Sequence, residues 1–135
     1  MFKTVLFPID QSREAREAAD LVSKVVQQFN SRLVLLSVVE EAASEETTET
    51  PMMSPDAVAK LLENAQSLFS EQGITTEIIE KPGQPAFTIC DVADEIGAEL
   101  IIMGCRGLGL TDEGVNDSVT NRVINLSPCP VLVVP

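Results

Sequence analysis

Five short apolar runs are spaced along the chain, and segments with helical periodicity separate them. The runs cover residues 4–10, 32–39, 74–80, 100–103 and 131–134. Runs rich in Val, Ile and Leu without alternation are typical of strands that are buried on both faces of a sheet. The run at residues 74–80 alternates more and carries charge, which favours a strand at the edge of the sheet.

Apolar residues recur at three- and four-residue spacing in each intervening segment, as on one face of a helix. Pro55 and Pro85 fit first helical positions, Gly73 and Gly97 fit helix ends, and Ser127-Pro128 stops the last helix. The expected packing stripes are Ala15, Ala18, Ala19, Val22, Val25, Val26 and Phe29; then Val58, Leu61, Leu62, Ala65, Leu68 and Phe69; then Phe87, Ile89, Cys90, Val92, Ala93 and Ile96; and finally Val119, Val123 and Ile124.

The alternation of strands and helices predicts an α/β fold, a five-stranded open parallel sheet with helices on both faces and right-handed crossovers. In such sheets, ligands bind outside the carboxyl ends of the strands, where the winding order reverses. If the strand order is 3-2-1-4-5, the reversal lies between strands 1 and 4. Pro8, Ile9 and Asp10 then border the same crevice as Met103 and Gly104.

Length and charge limit the classes of protein that fit. A chain of 135 residues predicts one domain, residues 1–135, in which residues 40–53 with their five carboxylates form a mobile acidic loop. The start of the chain leads straight into a strand, so we expect no secretory signal and a cytoplasmic location. The net charge of −12 opposes binding to nucleic acid and to anionic membranes.

The residue types disfavour most enzyme chemistry. The chain has no histidine, and its three cysteines, Cys90, Cys105 and Cys129, form no C-x-x-C pair. Histidine-dependent catalysis and histidine-ligated zinc are therefore excluded, and neither catalytic residues nor metal ligands are predicted. Cys105 next to a glycine turn could be a redox-sensitive thiol, but a small residue that fits the turn is the more common case.

One stretch has the features of an anion site. Gly104-Cys-Arg-Gly107 directly follows the fourth strand, and Asp117 or Ser118 caps the start of the last helix. Backbone amides of a glycine turn and of a helix N-terminus attract negative groups, because both expose unpaired N–H donors. The two features predict a shared pocket for an anionic ligand.

This stretch resembles the G-x2-G-x9-G-(S/T) signature of the universal stress protein family. The resemblance covers the whole chain, from the Pro8-x-Asp10 end of the first strand through Leu-Ser-Val-Val to the closing Ser-Pro-Cys-Pro-Val-Leu-Val-Val-Pro. It implies a Rossmann-like domain of the adenine nucleotide alpha hydrolase-like type, a role in cytoplasmic stress tolerance, and a homodimer formed through Val131–Val134. One branch of the family binds ATP or AMP, and another does not.

The resemblance also implies roles for individual residues. Asp10 and Val38 match residues that hold adenosine, Gly104, Arg106 and Gly107 match residues that line the phosphates, and Ser118, Val119 and Thr120 match those that meet the phosphates at the helix start. With the crevice residues, the predicted nucleotide site comprises Pro8, Ile9, Asp10, Val38, Met103, Gly104, Arg106, Gly107, Asp117, Ser118, Val119 and Thr120.

Asp117 departs from the family signature, which has glycine at this position. Its carboxylate adds negative charge to an anion site and disfavours a triphosphate. AMP, or ATP accompanied by Mg²⁺, is therefore the expected ligand.

Three functions remain open from the sequence. The first is a dimeric stress-response binding or signalling module with an unidentified protein partner and a regulatory nucleotide. The second is a slow ATP hydrolase or autophosphorylating protein, although the chain lacks a Walker lysine. The third is a dimeric interaction protein whose site is blocked by Asp117.

Overall fold

Strands and helices alternate throughout the computed structural model, which describes residues 1–9, 13–39, 55–104 and 119–134. The elements in these residues are β1 (Thr4–Pro8), α1 (Arg13–Phe29), β2 (Arg32–Val39), α2 (Pro55–Glu71), β3 (Thr76–Pro82), α3 (Pro85–Ile96), β4 (Leu100–Gly104), α4 (Val119–Leu126) and β5 (Val131–Val134). The acidic loop predicted at residues 40–53 lies outside the described residues.

All five strands belong to one parallel sheet with the order β3-β2-β1-β4-β5. This order confirms the predicted open α/β sheet, including the position of β3 at an edge. β5 forms the opposite edge, so the chain begins in the central strand and ends at a border of the sheet.

Two apolar layers cover the two faces of the sheet, because successive strand side chains point to opposite faces. The first layer packs beneath α1 and α2 and contains Val5, Phe7, Ile9, Ala18, Val22, Val26, Leu33, Leu35, Leu62, Phe69, Ile74, Leu100 and Ile102. The second layer packs beneath α3 and α4 and contains Leu6, Val34, Leu36, Ala86, Ile89, Cys90, Val92, Ala93, Ile101, Met103 and Val123. Helices therefore lie on both faces, as predicted.

Three helices end in the same way, with a left-handed residue that turns the chain back towards the sheet. Gly73 after α2 has φ +81°, and the next residue, Ile74, donates its N–H to the carbonyl of Phe69 at 3.0 Å. Asn30 after α1 and Gly97 after α3 have φ +53° and +68° and precede equivalent hydrogen bonds. This is the Schellman arrangement, which satisfies carbonyls that the helix itself leaves unpaired.

Some predictions of which helix side chains are buried are wrong. Five apolar side chains expected in the packing stripes are exposed, because each helix rests on the sheet along a narrow arc and a neighbouring position points about 100° away. They are Phe29, Leu68, Phe87, Val119 and Ile124. Conversely, Ala86 and Thr120 were not expected in the stripes and are buried.

Four strand boundaries also differ from the predicted ones. β3 starts at Thr76 rather than at Ile74, because Ile74 is the apolar residue of the helix cap after α2, and it ends at Pro82 rather than at residue 80. β1 ends at Pro8, before the predicted end at residue 10, and β4 extends one residue further, to Gly104.

An ion pair links β2 to the edge strand. Both Nε and Nη2 of Arg32 donate to the carboxylate of Glu77, the latter at 2.7 Å. The hydrogen bond from Arg32 lowers the pKa of the Glu77 carboxyl. Both side chains are about half exposed, so water and salt limit the stabilisation to about 1 kcal/mol or less.

Candidate functional site

The hydrogen-bonded pairing of the central strands ends early at one place. Pairing between β1 and β2 continues to Pro8↔Leu36, and pairing between β4 and β5 continues to Gly104↔Val134. Pairing between β1 and β4 stops earlier, at Leu6↔Ile101. The carboxyl ends of these two strands are therefore not bridged to each other within the described residues, and we call this gap in the pairing the β1/β4 crevice.

The crevice lies where the winding order reverses. From β1 the chain moves through α1 and α2 on the first face, whereas α3 and α4 cover the second face. In open parallel sheets, this reversal is the place where ligands bind, because the connections leave the two strand ends towards opposite faces.

The β1 side of the crevice is fixed by β2. Ile9 follows β1, and its N–H donates to the carbonyl of Leu36 at 2.8 Å. Its side chain is buried in the first layer, so only its backbone can face a ligand. Pro8 is half-buried at the end of β1 and, as a proline, has no N–H to offer to β4.

The β4 side is tied to the start of α4. The hydroxyl of Thr120, in the first turn of α4, donates to the carbonyl of Gly104 at 2.8 Å. Thr120 is buried, whereas Val119 at the first helical position is exposed. The structure therefore brings the start of α4 beside the end of β4. In the sequence, both features belong to the same predicted pocket.

Two further predicted residues lie on the face covered by α3 and α4. Met103 is buried in the second layer, and Val38 of β2 is half-buried against it. Met103 therefore has almost no accessible surface, while Val38 keeps some. Of the remaining predicted residues, Asp10, Arg106, Gly107, Asp117 and Ser118 lie outside the described residues.

Sequence reasoning missed one contact that holds the end of β2, the strand that carries Val38. Gly83, in the turn between β3 and α3, donates its N–H to the carbonyl of Val39 at the end of β2, at 3.0 Å. Gly83 has φ +136°, a conformation that side chains rarely adopt. The Pro82-Gly83 dipeptide indicated a turn, but nothing in the sequence showed that the turn holds the end of β2.

Metal-ligating side chains and thiols bear on the chemistry that the described residues offer. No group of three or more His, Cys, Asp or Glu side chains in the described ranges could hold a metal ion. Cys90 and Cys129 are free thiols, and burial raises the pKa of each, which disfavours the reactive thiolate. No helix in the described part of the chain has the length and apolar character to span a bilayer.

The sheet order and the early end of the β1–β4 pairing define the class of protein: a Rossmann-like α/β domain whose β1/β4 crevice lies at the topological reversal. The sequence model of the whole domain, described as the universal stress protein family, matches residues 1–135. The chain therefore belongs to the universal stress protein family.

Sequence similarity to curated relatives extends over the whole chain. Universal stress protein Sll1654 of Synechocystis is 65% identical over 136 residues, covering 100% of this chain and 87% of that protein. Universal stress protein YxiE of Bacillus subtilis is 33% identical over 147 residues, covering 99% of both.

Solved structures share the fold. Protein MJ0577 of Methanocaldococcus jannaschii has a TM-score of 0.83 and 28% identity, covering 99% of this chain and 96% of that chain. A universal stress protein in complex with cAMP has a TM-score of 0.79 and 24% identity over 98% of this chain and 97% of that chain. An Arabidopsis thaliana family member with AMP bound has a TM-score of 0.74 and 23% identity over 98% of this chain and 90% of that chain.

Proposed function

We propose that this chain is a dimeric stress-response module that binds an adenine nucleotide, AMP or ATP, in the β1/β4 crevice. The observation that carries the proposal is the early end of the pairing between β1 and β4, at Leu6↔Ile101, while both strands continue beyond it. An opening between two strand ends at the winding reversal is where a Rossmann-like domain accommodates a nucleotide.

The crevice residues suit both the adenosine and the phosphate of such a ligand. Val38 offers an apolar surface for the adenosine, and Asp10 supplies a carboxylate for the ribose or the adenine. The first turn of α4 supplies N–H groups for the phosphate. The full proposed site is Pro8, Ile9, Asp10, Val38, Met103, Gly104, Arg106, Gly107, Asp117, Ser118, Val119 and Thr120.

Two solved neighbours support an adenine nucleotide as the ligand, since one contains cAMP and another contains AMP. Asp117 decides between nucleotides of different charge. Its carboxylate repels the additional negative charges of a triphosphate, by about 1 kcal/mol for one well-screened pair at 4 Å. AMP therefore binds without a metal ion, and ATP needs Mg²⁺ to neutralise part of its charge.

Isothermal titration of AMP and ATP, each with and without Mg²⁺, tests this proposal. We expect AMP to bind with or without Mg²⁺ and ATP to bind measurably tighter with Mg²⁺. Asp117→Gly removes both the charge and the side chain, and it should raise metal-free ATP affinity about fivefold, the equivalent of about 1 kcal/mol.

Two variants serve as controls for this titration. Asp117→Asn removes only the charge and should recover most of the gain, whereas Glu63→Gln on the exposed surface of α2 should leave both affinities unchanged. Tight metal-free binding of ATP by the wild type would contradict the role of Asp117. Absence of binding by either nucleotide would favour the interaction protein with a blocked site, and turnover of radiolabelled ATP would favour the hydrolase or autophosphorylating protein.

Dimerisation is proposed through β5, which forms an edge of the sheet. Its residues are half-buried except for Leu132, whose side chain is 36% exposed. An edge strand presents unpaired backbone groups, and pairing two copies of β5 around a two-fold axis would satisfy them and cover Leu132. Ile124 and Leu126 of α4 are also exposed and belong to the neighbouring element of the fold.

Leu132→Lys should therefore convert the dimer to a monomer in light scattering coupled to size-exclusion chromatography, because the buried contact would receive an unpaired charge. Ile78→Lys is the matched control: Ile78 lies on the other edge strand, β3, and is 39% exposed. We expect this variant to stay dimeric. Dissociation by Ile78→Lys and not by Leu132→Lys would move the interface to β3.

We also propose a cytoplasmic location and a protein partner that is not yet identified. The net charge of −12 favours partners other than nucleic acid or an anionic membrane.

A further inference from the structure

Two buried threonines differ in what their hydroxyls contact. Thr120 is 8% exposed, and its Oγ1 donates to the carbonyl of Gly104 at 2.8 Å. Thr76, at the start of β3, is 7% exposed, and its Oγ1 has no hydrogen-bond partner among the described residues. Of these two hydroxyls, that of Thr120 joins two elements of the fold, α4 and β4, among the described residues.

The proton of the Thr120 hydroxyl is already used. A hydroxyl carries one O–H donor, and the phosphate oxygens of a nucleotide are acceptors. While Thr120 donates to the Gly104 carbonyl, it therefore cannot donate to a phosphate. Its burial also leaves the side chain with little surface to offer to a ligand.

The same hydrogen bond contributes to the placement of α4. α4 is only eight residues long, and a helix of this length depends on tertiary contacts for its stability. In the described part of the chain, its buried residues are Thr120 and Val123, and Val123 belongs to the second layer. The Thr120 hydroxyl adds a directional contact in the first turn, at the border of the β1/β4 crevice.

We propose that Thr120 is a positioning residue of the nucleotide site rather than a phosphate ligand. It fixes the first turn of α4 against the end of β4, so that the backbone N–H groups of that turn face the ligand in a preset orientation. The inference rests on the proposed function, because it assigns Thr120 a role in the same site.

Four proteins test this inference: the wild type, Thr120→Val, Thr120→Ser and Thr76→Val. Thr120→Val keeps the shape of the side chain and removes the hydroxyl, and it should weaken AMP binding about tenfold, the equivalent of one buried hydrogen bond. Thr120→Ser keeps the hydroxyl and should retain affinity within about twofold of the wild type. Thr76→Val makes the same chemical change at equal burial without breaking a hydrogen bond, and its AMP affinity should not change.

Amide hydrogen exchange of the nucleotide-free proteins separates positioning from direct contact. We expect faster exchange across Val119–Leu126 in Thr120→Val only, because the lost bond loosens α4 before any ligand is present. A Thr120→Val variant that loses AMP affinity while α4 exchanges as in the wild type would contradict the inference and make Thr120 a ligand. If the wild type binds AMP and Thr120→Val binds it with equal affinity, the inference is also contradicted. A wild type that binds no nucleotide would instead contradict the proposed function.

Discussion

Phe69→Ala is expected to lower the free energy of unfolding by about 3–5 kcal/mol, the range for removing a large aromatic side chain from a core. Phe69 lies on α2 with 2% of its surface exposed, and it belongs to the first layer. Its ring meets the ring of Phe7 edge to face, with the centroids 6.3 Å apart. Such a pair adds about 0.5–1.5 kcal/mol beyond the buried area, so the loss includes both the cavity and the aromatic contact.

Leu68→Ala is the control for this prediction, because Leu68 is the preceding residue of the same helix and is 54% exposed. It should change stability by about 0.5 kcal/mol or less. Urea unfolding at one fixed protein concentration measures both variants, since unfolding of the proposed dimer would depend on protein concentration. Equal losses for the two variants would mean that α2 packs on the sheet with a different face.

Gly83→Ala should lower stability by about 2–3 kcal/mol, at the upper end of the cost of one strained backbone conformation. Gly83 has φ +136°, and a Cβ atom added there would lie 2.6 Å from Oγ1 of Thr88. The substitution therefore combines backbone strain with a steric contact. Gly83 also donates its N–H to the carbonyl of Val39, so any movement of the turn that relieves this strain would disturb the end of β2.

Gly97→Ala provides the comparison, since Gly97 has φ +68° and open space around an added Cβ atom. Its cost should be about 1 kcal/mol, that of a left-handed residue with a side chain. Adding Thr88→Ala to Gly83→Ala in a double-mutant cycle isolates the steric part. If Gly83→Ala costs no more than Gly97→Ala, neither the contact with Thr88 nor the special conformation of Gly83 matters for stability.

The architecture could be predicted from the sequence because strand burial and helix periodicity are local patterns. β2 was predicted with the bounds that the structure shows, Arg32–Val39, since an unbroken apolar run admits one interpretation. The start of β3 was missed because Ile74 is apolar in both roles, as a strand residue and as the apolar residue of a helix cap. The cap becomes evident only from the hydrogen bond of Ile74 to Phe69.

Side-chain exposure on the helices was harder to predict. Leu68 and Phe87 have the spacing of packing residues, yet each lies beside the arc that faces the sheet. Their exposure depends on how each helix is rotated about its axis, which a single sequence does not specify. Ala86 was overlooked for the opposite reason, since a small residue is equally common inside and outside a stripe.

The candidate site was predictable as a location but not as a set of contacts. The alternation of elements placed Pro8, Ile9, Met103 and Gly104 at one reversal, and the strand order agrees with this. The early end of the β1–β4 pairing and the hydrogen bond from Thr120 to Gly104 link residues far apart in the chain. Such contacts follow from the packed structure and have no local signature.

Nuclear magnetic resonance of the labelled wild-type protein during titration with AMP tests the nucleotide site most directly. Saturable shifts should concentrate at the amides of the crevice, those of Ile9, Val38, Gly104, Val119 and Thr120. The amides at the opposite end of the sheet, those of Lys3, Arg32 and Glu99, should keep their positions. Shifts that concentrate at this opposite end, or an unchanged spectrum at millimolar AMP, would contradict a nucleotide site in the β1/β4 crevice.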